Sequence, residues 1–330
     1  MDEITDPPVD LNPEETELLA EYLLRQDFED DGYEAASGVF KPEHPRWRTF
    51  IERGGERAGT IRSRTRLSER RLVSQLSEAE LGQLKHRYLQ DGEISKYVTE
   101  ELTSSTIAWN KDGSLLLLYL KRNIPLRVQK KAWSALELMR FDDPRRAETR
   151  AATAFNARTG SATVKSGELL FGFMDRGYIQ IANPTREQET EYSALRPLLR
   201  HMNAEFARVL PSQFAKQNRD IPAEFRQFGT AFSTTTILKS TPASVHKDSG
   251  NGLSLTCMTT VSQNSSGGEL CLLEYGLRIP VGPGDLLIAA TCREWHVNLT
   301  PVRGTKYSII AYFRSGLKSR LRQMDWLLRH

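Results

Sequence analysis

The sequence predicts an α+β fold in which a sandwich or jelly-roll barrel of β-strands is backed by two or three helices. After Gly229, short apolar segments of strand composition follow one another, separated by turn signals such as "NSSGG" and "VGPGD". Helical segments with one apolar face precede them. Several strands at this spacing are typical of a sandwich or a jelly roll.

Length and composition place the chain among ordinary globular proteins. Its 330 residues suffice for one large or two small domains, and 26% of them are charged. No stretch approaches the roughly 18–20 apolar residues that cross a bilayer. The acidic start, "MDEITDPPVDLNPEE", has no apolar segment, so we expect no secretory signal and an intracellular protein. Three dispersed cysteines, without a CxxC motif, argue against a disulfide framework.

Residues 1–104 are predicted to form a helical, partly flexible N-terminal extension. "NPEETELLAEYLLRQ" has the proline and acidic residues that favour a helix start, and "LSEAELGQLKHRYLQ" has apolar residues at helical spacing. The charge is polarised, since residues 1–40 carry thirteen acidic side chains and one arginine, whereas residues 41–73 carry ten basic and four acidic ones. The basic segment could hold phosphates or pair with the acidic one, and both interpretations stay open.

Residues 105–330 are predicted to form the main domain. "DGSLLLLYLKRNIP" is typical of a buried strand, while "VQKKAWSALELMR" and most of residues 185–210 are typical of amphipathic helices. Strands are then predicted in "TAFSTTTILK", "LSLTCMTTVS", "GELCLLEYG", "GDLLIAA" and "KYSIIAYFR". The last stretch, "GLKSRLRQMDWLLRH", predicts a terminal amphipathic helix.

Three residues, His246, Asp248 and His296, have the types and spacing of metal ligands. In an extended segment, residues two apart project to the same side, so His246 and Asp248 can reach one ion. His296 can supply a second imidazole from another strand. Two imidazoles and one carboxylate leave three positions of an octahedral ion open, as in non-haem Fe(II) oxygenases. His-x-Asp alone also arises by chance, but the distal histidine favours the metal hypothesis.

The last predicted strand carries an unusual polar face. Lys306, Ser308, Ile310, Tyr312 and Arg314 project to one side of it. We interpret this face as a pocket wall on which Lys306 and Ser308 hold the distal carboxylate of a dicarboxylate. The alternative is the solvated face of an edge strand.

These motifs together resemble the TET/JBP family of Fe(II)- and 2-oxoglutarate-dependent dioxygenases. The resemblance rests on H-x-D-x-x-N (His246, Asp248, Asn251), "GGEL", "GPGDLLIAA", "WH" and "GTKYSIIAYF". It extends from about Ser105 to Leu317 and is greatest to the short, transposon-associated fungal members and the compact protist TET-like enzymes. It implies a double-stranded β-helix core, a nuclear location and oxidation of a nucleobase methyl group, most often that of 5-methylcytosine in DNA.

The resemblance also implies the cofactors Fe(II), 2-oxoglutarate and O2. The two histidines and the aspartate described above would hold the iron. Lys306 stands where the family usually has an arginine for the 2-oxoglutarate C5 carboxylate, with Ser308 beside it. Arg303 is a possible substitute cation, although it is one residue out of phase with Lys306.

Four residues are implied in recognising the substrate. Tyr312 matches the aromatic residue that stacks on the flipped base, and Asn251 matches a position that hydrogen-bonds it. Arg314 stands where the family commonly has a histidine that contacts cytosine, and Arg176 matches an upstream contact. Because arginine only donates hydrogen bonds, we expect the pocket to favour a base edge rich in acceptors. N6-methyladenine or an RNA base therefore stays open as the substrate.

The implied partner is nucleic acid, with the target base turned out of the stack. The net charge of +3, positive over residues 41–330, suits such a polyanion. We expect a monomer that does not enter a membrane. Two other functions stay open, a 2-oxoglutarate oxygenase acting on a protein side chain or small molecule, and a catalytically silent nucleic-acid-binding module.

Overall fold

The computed structural model describes residues 67–89, 91–111, 113–141, 167–175, 179–248, 255–314 and 316–317. It also describes two short paired strands near the N-terminus, β1 (Tyr33–Glu34) and β2 (Val39–Phe40). Two β-sheets face each other, and helices cover the outer side of the larger sheet. This arrangement confirms the predicted α+β fold with a jelly-roll, or double-stranded β-helix, core.

The larger sheet has nine strands. In their order across the sheet they are β3 (Ser68–Arg71), β5 (Thr106–Trp109), β6 (Leu115–Leu120), β14 (Leu286–Ala289), β11 (Thr256–Gly267), β16 (Pro301–Tyr312), β9 (Thr234–Lys239), β7 (Gly167–Asp175) and β8 (Ile179–Ile181). All neighbours are antiparallel except β3 and β5.

The smaller sheet has five strands. Their order is β10 (Ala243–His246), β15 (His296–Asn298), β12 (Leu270–Leu272), β13 (Leu277–Ile279) and β4 (Glu100–Glu101). Only the pairing of β4 with β13 is parallel. The outermost strand on one side, β10, carries one of the predicted metal ligands at its end.

Seven α-helices are described. They are α1 (Glu78–Leu84), α2 (Asp91–Ile94), α3 (Leu126–Leu138), α4 (Asn183–Glu187), α5 (Glu189–Ser193), α6 (Arg196–Val209) and α7 (Pro211–Asp220). Short 3₁₀ turns lie at Ala223–Phe225, Gln227–Gly229 and Leu273–Tyr275. Leu136 of α3, Leu199 of α6 and Ile309 of β16 belong to one buried cluster between the helices and the larger sheet.

Strand β16 alternates as the sequence predicts. Its residues Tyr307, Ile309 and Ala311 are fully buried on the helix-covered face, so the intervening residues point into the space between the sheets. Because β16 pairs with β11 on one side and β9 on the other, it is an interior strand. The alternative of a solvated edge strand is therefore wrong.

The segment before residue 105 contributes strands to both sheets, through β3 and β4. Helix α1 is shorter than the sequence pattern predicted, since it ends at Leu84 and His86 follows with a left-handed φ of 65°. A β-branched or bulky residue rarely adopts that conformation, and a histidine tolerates it better. A domain boundary at residue 104 stays a prediction.

The predicted strands and helices from residue 115 to residue 312 are confirmed in type, except that "GELCLLEYG" is a strand only over Leu270–Leu272 and then forms a 3₁₀ turn. Strands β7, β8 and β13 and helix α7 were not anticipated. The predicted helix near residues 12–26 and most of the predicted C-terminal helix lie outside the described residues. Among the described helices, none has the length and apolar character needed to cross a membrane.

Candidate metal centre and adjoining cavity

The structure brings the three predicted metal ligands together. His246 ends β10 and lies opposite His296, the first residue of β15, in the antiparallel pairing of the two strands. Asp248 follows two residues later, and its Oδ1 lies 3.4 Å from His246 Nε2 and 3.9 Å from His296 Nε2. One ligand atom from each residue lies within 4.8 Å of the others.

Hydrogen bonds fix the orientation of both imidazole rings. His246 Nδ1 lies 2.6 Å from the carbonyl oxygen of Ser244, and His296 Nδ1 lies 3.0 Å from that of Glu294. Because a carbonyl oxygen only accepts, Nδ1 must carry the hydrogen in each ring. The lone pair is then on Nε2, the atom that faces Asp248. Metal-binding histidines are commonly held in this way by a second hydrogen bond.

The charges of the three groups suit a divalent cation. Burial raises the pKa of Asp248, but the contact with His246, the nearby His296 and a hydrogen bond from Thr291 outweigh it, so the pKa lies below its usual value. Burial lowers the pKa of His296, which is 4% exposed. Burial also acts to lower the pKa of His246, but Asp248 and Ser244 raise it above its usual value.

A carboxylate and two imidazole nitrogens are therefore available on one side of a common point. Imidazole and carboxylate ligands in this two-to-one ratio fit Fe(II) with open coordination positions. The backbone supports the arrangement as well, because Asp248 N donates to the carbonyl oxygen of Thr291 at 3.0 Å.

A cavity of about 520 Å³ adjoins the three ligands and lies between the two sheets. The smaller sheet contributes Ser244 and Asn298 to its wall besides the histidines, and the larger sheet contributes Met258, Ile310 and Tyr312. This size is within the range of cavities that hold small molecules. The metal ligands thus border a space large enough for a cosubstrate and part of a substrate.

Lys306 and Ser308 line a smaller cavity next to the first one. Asn298 borders both cavities. Lys306 is 6% exposed, its Nζ donates to the carbonyl oxygen of Gly268 at 2.6 Å, and burial lowers its pKa to about 8. The predicted cation is therefore buried near the metal ligands, as a site for an anionic group requires.

Two hydroxyl residues that the sequence analysis missed lie beside this cation. Thr260 and Ser262 of β11 are the register partners of Ser308 and Lys306 on β16, so their side chains lie on the same face of the sheet. Their hydroxyl oxygens are buried and have no hydrogen-bond partner among the described residues. Buried polar groups usually have partners, and a bound carboxylate would supply them. Alternating Thr and Ser in "TTVS" was the available signal.

Tyr312 and Arg314 lie on the wall of the larger cavity. Tyr312 is 7% exposed, and its hydroxyl accepts a hydrogen bond from Arg314 Nη2 at 2.9 Å. The Arg314 Nε atom is buried and has no hydrogen-bond partner in the described part of the chain. Arg314 can therefore donate to a ligand.

Of the remaining predicted site residues, the structure describes only Arg303. Arg303 is exposed, pairs in register with Ser266, and lines neither cavity. Asn251 and Arg176 lie outside the described residues, so their roles stay predictions. By contrast His86, for which the sequence suggested no role, borders the larger cavity.

Comparison with known proteins supports the same class of site. Residues 177–315 match the TET/JBP family model, described as the oxygenase domain of the 2OGFeDO superfamily. The chain is 26% identical over 247 residues to the bifunctional helicase and thymine dioxygenase JBP2 of Leishmania tarentolae, a match that covers 68% of this chain and 21% of that protein. It is also 26% identical over 265 residues to JBP2 of Trypanosoma cruzi, covering 71% of this chain and 22% of that protein.

The chain thus spans about a fifth of the length of these curated relatives. Among solved structures, it is similar to NgTET1 in complex with 5mC DNA, with a TM-score of 0.50 and 13% sequence identity. That match covers 74% of this chain and 93% of the NgTET1 chain. The two proteins share the jelly-roll fold.

Proposed function

Since the chain carries an oxygenase domain of the TET/JBP family, we propose that it is an Fe(II)- and 2-oxoglutarate-dependent dioxygenase that oxidises a methyl group on a nucleobase. The observation that carries this proposal is that His246, Asp248 and His296 meet at the edge of the larger cavity. The buried Lys306 lines the smaller cavity next to it. The family uses Fe(II), 2-oxoglutarate and O2 as cofactors.

In this proposal the His246, Asp248 and His296 side chains hold Fe(II). With 2-oxoglutarate and O2, the bound iron supplies the oxidation of an unactivated C–H bond, while 2-oxoglutarate becomes succinate and CO2. The Nδ1 hydrogen bonds to the carbonyl oxygens of Ser244 and Glu294 keep both rings in the tautomer that leaves Nε2 free to bind metal.

Lys306 would bind the distal carboxylate of 2-oxoglutarate. Its ammonium group is compact, whereas the planar guanidinium of an arginine can donate two parallel hydrogen bonds to one carboxylate. A lysine alone therefore leaves more of the carboxylate's acceptor sites without a donor than an arginine would. The hydroxyls of Ser308, Thr260 and Ser262, which lie on the same face of the sheet, could donate the missing hydrogen bonds.

The proposed substrate is DNA with the target base turned out of the duplex. Unstacking a base costs a few kcal/mol and is offset where an aromatic surface receives the base. Tyr312 offers such a ring on the cavity wall, and Arg314 offers a hydrogen-bond donor next to it. The resemblance to the TET/JBP family makes 5-methylcytosine the first candidate substrate.

Thymine is a second candidate, favoured by Arg314. The group next to the methyl on thymine is the O4 acceptor, whereas on 5-methylcytosine it is an amino donor. A guanidinium only donates, so it complements thymine O4 and not the cytosine amino group. The curated relatives of the chain that are named thymine dioxygenases are consistent with this choice.

The proposal is tested by incubating the full chain with Fe(II), 2-oxoglutarate and duplexes that contain 5-methylcytosine, thymine or N6-methyladenine, together with a methylated RNA. Mass spectrometry of the nucleosides should show a hydroxymethylated pyrimidine, and the variant Asp248→Ala should form none. Succinate formation driven by a peptide or a metabolite, with no oxidised base in any duplex, would refute the proposed substrate class.

We further propose that the protein acts as a monomer in the nucleus. The proposed DNA substrate supports the nuclear location, and light scattering together with imaging of the tagged chain tests both points. A stable dimer or exclusion from the nucleus would contradict them.

A further inference from the structure

Helix α1 packs directly behind the strands that carry the proposed metal ligands. Leu81 and Leu84 of this helix share one buried cluster with Val245 and Val297. Val245 immediately precedes one ligand, and Val297 immediately follows another. A segment remote from the ligands in sequence thus forms the support on which both ligand-bearing strands rest.

The chain that leaves α1 also pairs with the free edge of β10. His86 N donates to the carbonyl oxygen of Val245, and Val245 N donates to that of Arg87, both at 2.9 Å. Only two residue pairs, with a register irregularity between them, join β10 to β15 on its other side. The pairing of β10 with β15 alone therefore gives β10 limited support.

Glu78, on the first turn of α1, connects the two ligand-bearing segments. Its Oε1 accepts a hydrogen bond from Lys247 Nζ at 2.9 Å, and its Oε2 accepts one from Trp295 Nε1 at 2.9 Å. Lys247 Nζ also lies 5.2 Å from the centre of the Trp295 ring. Hydrogen bonds from Trp295 and Lys247 hold the pKa of Glu78 below its usual value.

Both partners of Glu78 are adjacent in sequence to proposed metal ligands. Lys247 lies between His246 and Asp248, and Trp295 immediately precedes His296. One carboxylate thus joins the segment that carries two of the ligands to the segment that carries the third. This side-chain connection adds to the single backbone pairing of His246 with His296 at that end of β10.

We infer that Glu78 is a positioning residue of the metal centre, which fixes the distance between the His246–Asp248 segment and His296. This inference rests on the proposed function, since it assumes that the three ligands bind metal. Partners outside the ligand shell that orient ligands commonly change metal affinity by 10- to 100-fold. The Glu78 side chain is 68% exposed and contacts neighbours of the ligands, not the ligands themselves. A smaller effect is therefore expected.

Co(II), which absorbs visible light when bound, is a suitable probe for the full chain. The variant Glu78→Ala should bind Co(II) roughly 3- to 10-fold more weakly than the wild type, at or below the lower end of outer-shell effects, and should change the absorption spectrum of the bound ion. Glu78→Gln has one acceptor oxygen, so it can keep one of the two hydrogen bonds and should lie between Ala and the wild type.

Glu80 provides the matched control on the same helix. Its carboxylate accepts hydrogen bonds from Ser77, the N-cap residue just before α1, in a capping box. The variant Glu80→Ala should lower the unfolding temperature but leave the Co(II) affinity and spectrum unchanged. Equal weakening by both variants would mean that only helix stability matters, and wild-type affinity in Glu78→Ala would equally overturn the inference.

A triple variant, compared with the double variant of the two partners, tests whether Glu78 acts through them. With Lys247→Met and Trp295→Phe already in place, the further change Glu78→Ala should not weaken Co(II) binding, because residues that act through one contact are not additive. Additive losses would contradict the inference. A wild-type protein that binds no Co(II) would instead refute the metal site of the proposed function.

Discussion

His246 and His296 lie directly opposite each other in the pair β10–β15, although 50 residues separate them in the sequence. Each ring is hydrogen-bonded through Nδ1 to the carbonyl oxygen of the residue two positions before it. The repeated geometry leaves both Nε2 atoms facing Asp248. Two independent backbone contacts thus prepare the same donor atom in each ring.

Replacing His296 by alanine should weaken Fe(II) or Co(II) binding more than ~100-fold, because a direct ligand contributes more than an outer-shell partner. Anaerobic titration calorimetry measures the affinity. His86→Asn is the control, since His86 borders the same cavity but lies outside the ligand set, and asparagine tolerates its left-handed φ of 65°. Tight binding by His296→Ala would place the metal elsewhere.

The ligand set could be predicted from the sequence because its signals are local. His246 and Asp248 are two residues apart in an extended segment, and the face of β16 that carries Lys306 and Tyr312 follows from strand alternation. The pairing of β10 with β15 then places His296, and that pairing is a property of the jelly-roll fold.

The long-range contacts that hold the metal site in place could not be predicted in the same way. Glu78 contacts Lys247 and Trp295 across 169 and 217 residues of sequence, and no local pattern indicates such contacts. Likewise, no local pattern indicates the pairing of β3 with β5. The helical signals near β3 therefore led to the prediction of a helical N-terminal extension. Hydroxyl residues such as Thr260 are common in strands and indicate no ligand until their burial without partners is known.

The affinity for 2-oxoglutarate should depend on pH through Lys306. Burial lowers the pKa of this residue to about 8, and a carboxylate binds best to its charged form. Since the proton is lost as the pH rises, the dissociation constant should be steady below about pH 7 and rise above pH 8, towards tenfold per pH unit. Titration of Co(II)-loaded protein with 2-oxoglutarate at several pH values measures this dissociation constant.

The variant Lys306→Arg separates this effect from other pH-dependent changes in the protein. An arginine stays charged throughout the range, so its dissociation constant should change much less between pH 7 and 9. Identical pH profiles for the two proteins would exclude Lys306 as the carboxylate-binding cation.

Asp285, the aspartate of "GPGD", should be important for stability. It is 3% exposed and accepts hydrogen bonds from the Tyr119 hydroxyl and from the backbone N–H groups of Arg122 and Gly282. Asp285→Ala leaves these donors unpaired, so the free energy of unfolding should fall by about 3 kcal/mol or more, measured with urea. Tyr119→Phe, which removes one donor, should lower it by about 1 kcal/mol. Equal losses would contradict this assignment.

Tyr312 should act through its ring. Stacking on an aromatic side chain contributes about 1–3 kcal/mol per base, so Tyr312→Ala should raise the KM for DNA roughly 5- to 150-fold. Tyr312→Phe keeps the ring and should change KM little. Succinate formation without DNA serves as the control, because it does not require the base. A large effect of Tyr312→Phe would show that the hydroxyl, which is bonded to Arg314, matters more than the ring.

Arg314 should determine which pyrimidine is preferred. In Arg314→Gln the side-chain amide has an acceptor as well as a donor, so the amino group of 5-methylcytosine finds a partner that the guanidinium could not provide. A good contact to a base edge discriminates by about 1–3 kcal/mol, so the ratio of oxidised 5-methylcytosine to oxidised thymine should rise about 10-fold. Mass spectrometry of a duplex containing both bases measures this ratio.

Thr236→Val is the control, because it removes a hydroxyl from the cavity wall and leaves the guanidinium in place, so it should not change the ratio. An unchanged ratio in Arg314→Gln would mean that Arg314 does not contact the edge of the base next to the methyl group.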